Sequence, residues 1–130
     1  MNEHLTPFFA PQLFINNGVK DISFYANAFG ATENFCLRNE DDSVHVAELS
    51  IDGTIFHLHE VTKQHFFSPE KHQGTTAIIG LFVSDVGAVV NKAIQAGAIE
   101  ISAVKDYEYG YRQGEIKDIF GHHWLIEKKI

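Results

Sequence analysis

Cysteine and basic residues are scarce in this chain, and each scarcity argues against a class of protein. Cys36 is the single cysteine among 130 residues, which rules out an internal disulfide framework and predicts a reducing compartment, the cytoplasm. We interpret the Cys36 thiol as structural, because no base lies near it in the sequence to activate it. The 10 Lys and Arg residues are outnumbered by 17 Asp and Glu and form no cluster, so we expect no nucleic-acid partner.

Long apolar runs are also missing. The apolar stretches are well short of the roughly 20 residues that a membrane-spanning helix needs, so we expect no membrane association. Residues 1–12 contain Asn2, Glu3 and two prolines where a secretion signal has a positive start and an apolar segment, so we expect no such signal. Chain length and a 45% hydrophobic content together predict one domain with one substantial core.

The first half of the chain predicts the element order βαβββ. A short apolar run at residues 12–15 is followed by apolar residues at helical spacing that end at Gly30, a residue typical of helix C-termini. Three β-rich runs follow, at residues 32–38, 44–51 and 54–61. The last two are separated by Asp52-Gly53, a pair typical of tight hairpin turns.

The second half repeats this order. Residues 75–85 predict a buried strand, and the next helical stripe ends at Gly97 as the first ends at Gly30. The turn glycines Gly53 and Gly121 are separated by nearly the same offset as these two helix stops. A constant offset through helix stop and hairpin indicates an internal duplication. We therefore predict an α+β fold within one domain, residues 1–130, with one module at about 8–61 and a second at about 75–128.

Residues 62–74 connect the two modules, and Phe66 and Phe67 are the large apolar residues among them. Connections of this length without structure of their own are usually functional or disordered. Two readings stay open. The segment is a flap over a pocket or a contact with a partner subunit, or both phenylalanine rings simply dock on the edge of the core.

A repeated βαβββ unit that ends in YGYRQGEIKDIFGHHW resembles the vicinal oxygen chelate superfamily, which contains glyoxalases, bleomycin-resistance proteins and extradiol dioxygenases. More narrowly, the chain resembles its small bacterial PhnB-like or glyoxalase-like branch. The resemblance is carried by residues 24–31, 47–53 and 109–124. It implies two modules whose sheets form an open, curled β-barrel around a ligand, commonly in a homodimer.

Metal-dependent members of this superfamily place one ligand on the first and one on the last strand of each module. On the first strand the position falls at Pro11 or Gln12, neither of which suits a transition metal. In the second module the corresponding first-strand position falls at Ile79. Two of the four ligand positions are therefore expected to be empty.

The remaining two positions lie on the last strands of the modules. His57 occupies the first of them, whereas the second falls at Leu125, and only a shift of two residues along the strand brings Glu127 there. We therefore expect no metal cofactor. The alternative is a divalent ion (Zn, Fe, Mn or Ni) bound by His57, His59 and Glu127, since His57 and His59 share one face of a strand.

Several polar and aromatic residues are candidates for binding a small molecule. In the strand that contains Arg112 the odd-numbered residues are polar, so Arg112 points to the opposite, less polar face. An arginine that is buried or half-buried there needs an anion, which is either the Glu48 carboxylate or an anionic ligand. On the closing strand either of two rows can line the cavity, Trp124 with His122 or His123 with Leu125. Tyr109, between Tyr107 and Tyr111, is placed at the rim.

These observations predict a small-molecule-binding protein of the glyoxalase and bleomycin-resistance type. The ligand, aromatic or anionic, is expected in the barrel or at a dimer groove. Its predicted contacts are His57, Arg112, Trp124, Glu48, Tyr109 and His123. The alternative is an enzyme of the same superfamily, a metal-dependent lyase, isomerase or dioxygenase. No Gly-rich phosphate loop and no serine nucleophile motif points to another chemistry.

Overall fold

The computed structural model describes residues 6–64 and 66–130. The first five residues, on which part of the expectation about a secretion signal rests, lie outside this range. The helices and strands follow in the order β1 (Gln12–Ile15), α1 (Phe24–Phe29), β2 (Thr32–Arg38), β3 (Val44–Ile51), β4 (Thr54–Glu60), α2 (Pro69–His72), β5 (Ile78–Phe82), α3 (Val86–Gln95), β6 (Ile99–Tyr107), β7 (Tyr111–Lys117) and β8 (His123–Lys129).

The strands form two four-stranded sheets with the same topology. The first sheet has the order β1-β4-β3-β2 and the second the order β5-β8-β7-β6. In each sheet the first strand of the module pairs parallel with the last, and the other neighbours are antiparallel. The sheets are curled but not closed. The predicted α+β fold of two βαβββ modules is therefore confirmed.

The two main helices end as the sequence predicts but differ in length. Gly30 adopts a left-handed conformation (φ 68°) after α1, and its N–H donates to the Ala26 carbonyl. The helix α1 has only six residues, so Val19 and Ile22, which continue its apolar spacing in the sequence, pack on the core from the preceding loop. Asp85 caps the N-terminus of helix α3, because its side chain accepts a hydrogen bond from the Ala88 N–H.

The core lies on the faces of the sheets that pack against the helices. Alternate residues of β4 show the division, because Phe56 and Leu58 are buried whereas His57 and His59 are partly exposed. We call the face of the first sheet that carries His57 and His59 its open face. On β8 the same alternation buries Trp124 and Ile126 and leaves an open face on the second sheet.

The connection between the modules is partly structured. It contains α2, where Ser68 Oγ accepts from the Lys71 N–H and donates to Asn16 Oδ1 at the end of β1. The Phe66 ring stacks on Phe14 with centroids 4.6 Å apart, whereas Phe67 is 56% exposed. One of the two rings thus docks on the first sheet and the other faces outward. The role of the segment as a flap stays a prediction.

No helix among the described residues combines the length and the apolar character needed to cross a membrane.

Candidate functional site

The open face of the first sheet carries a histidine and a carboxylate side by side. His57 on β4 and Glu48 on β3 are direct partners in the antiparallel register, so their side chains project from the same face. His57 Nε2 lies 3.0 Å from Glu48 Oε1, and about a quarter of each side chain is exposed. The structure thus brings together two of the residues that the sequence proposed separately.

Glu48 is fixed by a second contact. Asn34 on β2 donates from Nδ2 to Glu48 Oε2 at 2.9 Å, and Ser50 Oγ donates to Asn34 Oδ1 at 3.2 Å. The hydrogen bond from the Asn34 amide, and to a smaller extent the one from His57, holds the pKa of the Glu48 carboxyl below its usual range. We call Ser50, Asn34, Glu48 and His57 the His57 network.

Aromatic rings flank this network. Phe35 lies 6.4 Å from His57, between ring centroids, and His59 lies 6.3 Å from it on the other side. His59 in turn contacts Phe14 at 6.3 Å. Burial, followed by the charges of neighbouring histidines, lowers the pKa of His59, so its ring is neutral near pH 7. The open face therefore offers placed polar atoms between apolar surfaces.

The second sheet has a comparable pair on its open face. His123 Nδ1 lies 2.7 Å from Glu115 Oε2, and the neighbouring Glu127 accepts from Gln113 Nε2 at 2.8 Å. The Tyr109 hydroxyl donates to Gln113 Oε1 at 2.5 Å. Tyr109 is 64% exposed, and its place at the rim of a ligand site stays a prediction.

Arg112 does not have the partner that we expected. Its guanidinium forms two hydrogen bonds with Asp106 on the adjacent strand, Nε–Oδ1 at 2.7 Å and Nη2–Oδ2 at 3.2 Å. Glu48 lies on the other sheet, so the predicted Arg112–Glu48 pair is wrong. Arg112 and Asp106 are cross-strand partners, and an anion supplied within the same hairpin satisfies the arginine locally.

Trp124 belongs to the core. It is 1% exposed, packs 4.9 Å from Phe29 between ring centroids, and donates from Nε1 to Asp118 Oδ2 at 2.9 Å. This position corrects the prediction that Trp124 lines a ligand cavity. The other predicted row, His123 with Leu125, is the one that faces outward, because it alternates with the buried residues of β8.

The alternative metal ligands are not gathered in one place. Over residues 6–64 and 66–130 no three His, Cys, Asp or Glu side chains converge as a metal site would require. His57 and His59 lie on the first sheet, while Glu127 lies on the second and contacts Gln113. Ile79 and Leu81 pack against the core, so Ile78, Gly80 and Phe82 are the residues of β5 on the open face.

Two large clefts lie elsewhere, and residues of the connection between the modules line both of them. One of about 580 Å³ is lined by Pro69, Lys117, Gly121 and His123 among others, and one of about 620 Å³ is lined by Asn16, Lys63 and Phe66 among others. Neither includes His57 or Glu48. The His57 network therefore lies outside both of these clefts, on the open face of the first sheet.

Sequence reasoning missed Asn34, Glu115 and Gln113, which hold the predicted histidines and carboxylates in place. Asn34 sits at an irregularity of β2, where the register with β3 shifts between Glu33 and Phe35. A polar residue inside an otherwise regular strand was the available signal. Phe35 is the register partner of Glu48, and the irregularity that brings Asn34 within hydrogen-bonding distance of Glu48 depends on the folded sheet.

Relatives of this chain exist in bacteria and plants. The Mycobacterium tuberculosis protein Rv0887c is 31% identical over 131 residues, which cover 98% of this chain and 77% of the relative. The Arabidopsis thaliana protein At5g48480 is 32% identical over 116 residues, covering 83% of this chain and 69% of that protein. The crystal structure of the At5g48480 product aligns with a TM-score of 0.74 at 27% identity, over 95% of this chain and all of that one.

More distant structures share the fold. TioX from Micromonospora sp. ML1 aligns with a TM-score of 0.68 at 18% identity, over 95% of this chain and all of that one. The fosfomycin resistance protein FosX from Listeria monocytogenes, in complex with Mn(II), aligns with a TM-score of 0.68 at 14% identity, over 98% and 93% of the two chains. The sequence model of the Glyoxalase/Bleomycin resistance protein/Dioxygenase superfamily matches residues 4–126. With nearly its whole length matched, the chain belongs to this superfamily.

Proposed function

We propose that the protein binds a small molecule, in the manner of the glyoxalase and bleomycin-resistance proteins, on the open face of its first sheet. The observation that carries this proposal is the His57 network, which holds a carboxylate, an amide and an imidazole between apolar rings. Ligand sites combine a few placed polar groups with apolar and aromatic surface. These side chains lie outside the core, so packing does not explain their arrangement.

The surroundings favour an aromatic ligand over an anionic one. The cation that would have attracted an anion, Arg112, is paired with Asp106. The open face of the first sheet instead exposes part of the Phe35 ring beside His57. A flat, largely apolar molecule that also bears a hydrogen-bonding group fits these contacts.

The same proposal includes a homodimer. The open faces are uncovered in the single chain, and apolar side chains on them or at the edges of their sheets are exposed: Phe35, Leu37, Ile78 and Phe82. Exposed apolar groups of this size are typical of interaction surfaces. Sedimentation equilibrium is expected to give twice the chain mass of 14.6 kDa, and a mass of one chain would contradict the dimer. The single cysteine supports the cytoplasm as the place of action.

Metal independence is also part of the proposal, because the candidate ligands His57, His59 and Glu127 do not converge on one point within the described residues. The competing function is a metal-dependent lyase, isomerase or dioxygenase using Zn, Fe, Mn or Ni. Metal analysis of protein purified without a histidine tag separates the two. Stoichiometric metal that disappears in His57→Ala would overturn the preference for a metal-free site.

Binding itself is tested with Nile red, a neutral aromatic dye whose fluorescence rises in apolar surroundings. We expect saturable binding to the wild type and at least ~10-fold weaker binding to Phe35→Ser, since burying one aromatic ring contributes on the order of 1–3 kcal/mol. Ile94→Ser is the control, because Ile94 is similarly exposed but lies on α3. Equal loss in both variants, or no saturable binding, would contradict a site on the open face.

A further inference from the structure

We infer that His57 is a proton acceptor, which takes a proton from an acidic C–H or O–H group of a planar small molecule bound on the open face of the first sheet. This inference rests on the proposed function and adds an activity to it. Its basis is the geometry of the His57 network, which fixes both the tautomer and the orientation of the imidazole.

The tautomer follows from the hydrogen bond to Glu48. An ionised carboxylate only accepts hydrogen bonds, so the ring nitrogen that faces Glu48 Oε1 at 3.0 Å, Nε2, carries the hydrogen. In the neutral ring Nδ1 then keeps its lone pair. Among residues 6–64 and 66–130 no hydrogen-bond donor contacts Nδ1. This nitrogen is therefore free to receive a proton.

The remaining contacts stabilise the protonated product of such a step. When Nδ1 accepts a proton, the imidazolium lies against the Glu48 carboxylate, which Asn34 holds from its other oxygen. Glu48 and Asn34 are thus positioning residues, since they act on the substrate only through His57. The pair formed by His123 and Glu115 has no such second amide within the described chain, and it serves as an internal comparison.

The groups around His57 indicate the kind of molecule that it would act on. Phe35 flanks the imidazole, and the neighbouring His59 ring has its pKa lowered chiefly by burial. From β1, the residue opposite His57 is Gln12, which is uncharged. Among the residues that the structure describes, no Lys or Arg side chain forms an ion pair with the His57 network. A planar, uncharged carbon acid fits these surroundings.

The elimination reaction of 5-nitro-1,2-benzisoxazole provides a defined probe. His57 Nδ1 takes the proton from the ring carbon, and the C–H electron pair becomes the second π bond of a nitrile. The N–O bond breaks, and its electron pair leaves on the phenoxide oxygen, whose colour reports the rate. No oxidant, reductant or metal is needed for this balance.

We expect the wild type to accelerate this elimination above buffer, and His57→Ala to lose at least ~10-fold of that acceleration, since general-base catalysis typically contributes about 10²–10⁴-fold. The matched control is His123→Ala, which removes the comparable histidine on the second sheet and should keep the wild-type rate. A His57→Ala rate equal to the wild type, or an equal loss in His123→Ala, would overturn the inference.

The positioning role is tested with Glu48→Gln. A glutamine at this position has one acceptor oxygen for the two donors that face it, Asn34 Nδ2 and His57 Nε2. When its oxygen stays with Asn34, its amide donates to His57 and moves the ring proton to Nδ1, which removes the base. We expect the ¹⁵N spectrum of His57 to change tautomer in parallel with the rate. An unchanged tautomer with an unchanged rate would contradict the positioning role.

Nile red binding on the same variants separates this inference from the function on which it rests. Saturable dye binding without elimination would overturn proton transfer at His57 and leave small-molecule binding in place. The absence of saturable binding in the wild type would overturn the proposed function itself.

Discussion

Substituting Asp118 by asparagine should destabilise the fold severely, although the change alters only one atom. Asp118 is 3% exposed and its carboxylate accepts four hydrogen bonds. Oδ1 accepts from the backbone N–H of Phe120 at 2.9 Å and of His122 at 3.0 Å. Oδ2 accepts from the Tyr25 hydroxyl at 2.5 Å and the Trp124 indole at 2.9 Å. All four donors thus converge on a single buried anion.

The magnitude follows from the donors that asparagine leaves without an acceptor. If its oxygen stays with the two backbone amides, its NH₂ group faces Tyr25 and Trp124. The tyrosine hydroxyl can turn and accept, but an indole N–H cannot, so one buried donor is orphaned at a cost of about 1–3 kcal/mol. The remaining hydrogen bonds also weaken, because their acceptor no longer carries a charge. This loss is partly offset, since the folded protein no longer has to bury an ion. We expect a net loss of about 3 kcal/mol.

Urea unfolding followed by circular dichroism measures this loss. With a slope of roughly 2 kcal/mol/M, the midpoint of Asp118→Asn should fall by about 1–2 M. Tyr25→Phe removes one donor and should cost about 1–2 kcal/mol. Asp52→Asn is the control, since Asp52 is exposed at a turn with φ 51° that asparagine tolerates, and it should stay within ~0.5 kcal/mol. A midpoint for Asp118→Asn within about 0.3 M of the wild type would refute the reasoning.

Three further predictions concern other parts of the molecule. Gly121→Ala should lower stability by at least ~2 kcal/mol in a thermal melt, because φ is 93° and the new Cβ would lie 2.8 Å from the Glu70 backbone nitrogen. Gly74→Ala is the control and should change stability little, since its new Cβ meets no atom within 4 Å. Burial beside the Asp118 carboxylate raises the pKa of Tyr25 well above its usual value near 10, so the folded state holds this proton more tightly than the unfolded state does. The free energy of unfolding should therefore fall as pH rises above about 10, and it should fall less in Tyr25→Phe. Urea titrations at each pH measure this difference. Arg112→Gln should leave Nile red binding unchanged, since Arg112 is paired with Asp106; a large loss of binding would restore its predicted role as a ligand contact.

The local pattern of the chain was sufficient to predict the fold. Glycines at helix ends and turns, together with apolar periodicity, gave the order of elements and the duplication, and both sheets have the same strand order. What failed were predictions about partners across strands. Arg112 was assigned to Glu48 or to an anionic ligand, whereas its partner is Asp106, because the register that decides such contacts is set only when the strands pair.

The site was only partly predictable for the same reason. His57 and Glu48 were both proposed from the sequence, but as separate groups, since nothing in the local pattern shows that β3 and β4 place them opposite each other. Asp118 was noticed only as part of a resembling motif. An aspartate directly after a strand and before a tight turn often binds backbone N–H groups two residues further on, and this signal could have identified it.

Trp124 has a further consequence for experiments on the whole molecule. It is the only tryptophan of the chain, it belongs to the second module, and its ring contacts Phe29 and Phe56 of the first. Its fluorescence is therefore an intrinsic, label-free sensor of whether the two halves remain docked. A change in emission before the loss of β-sheet circular dichroism would reveal that the duplicated halves separate before they unfold.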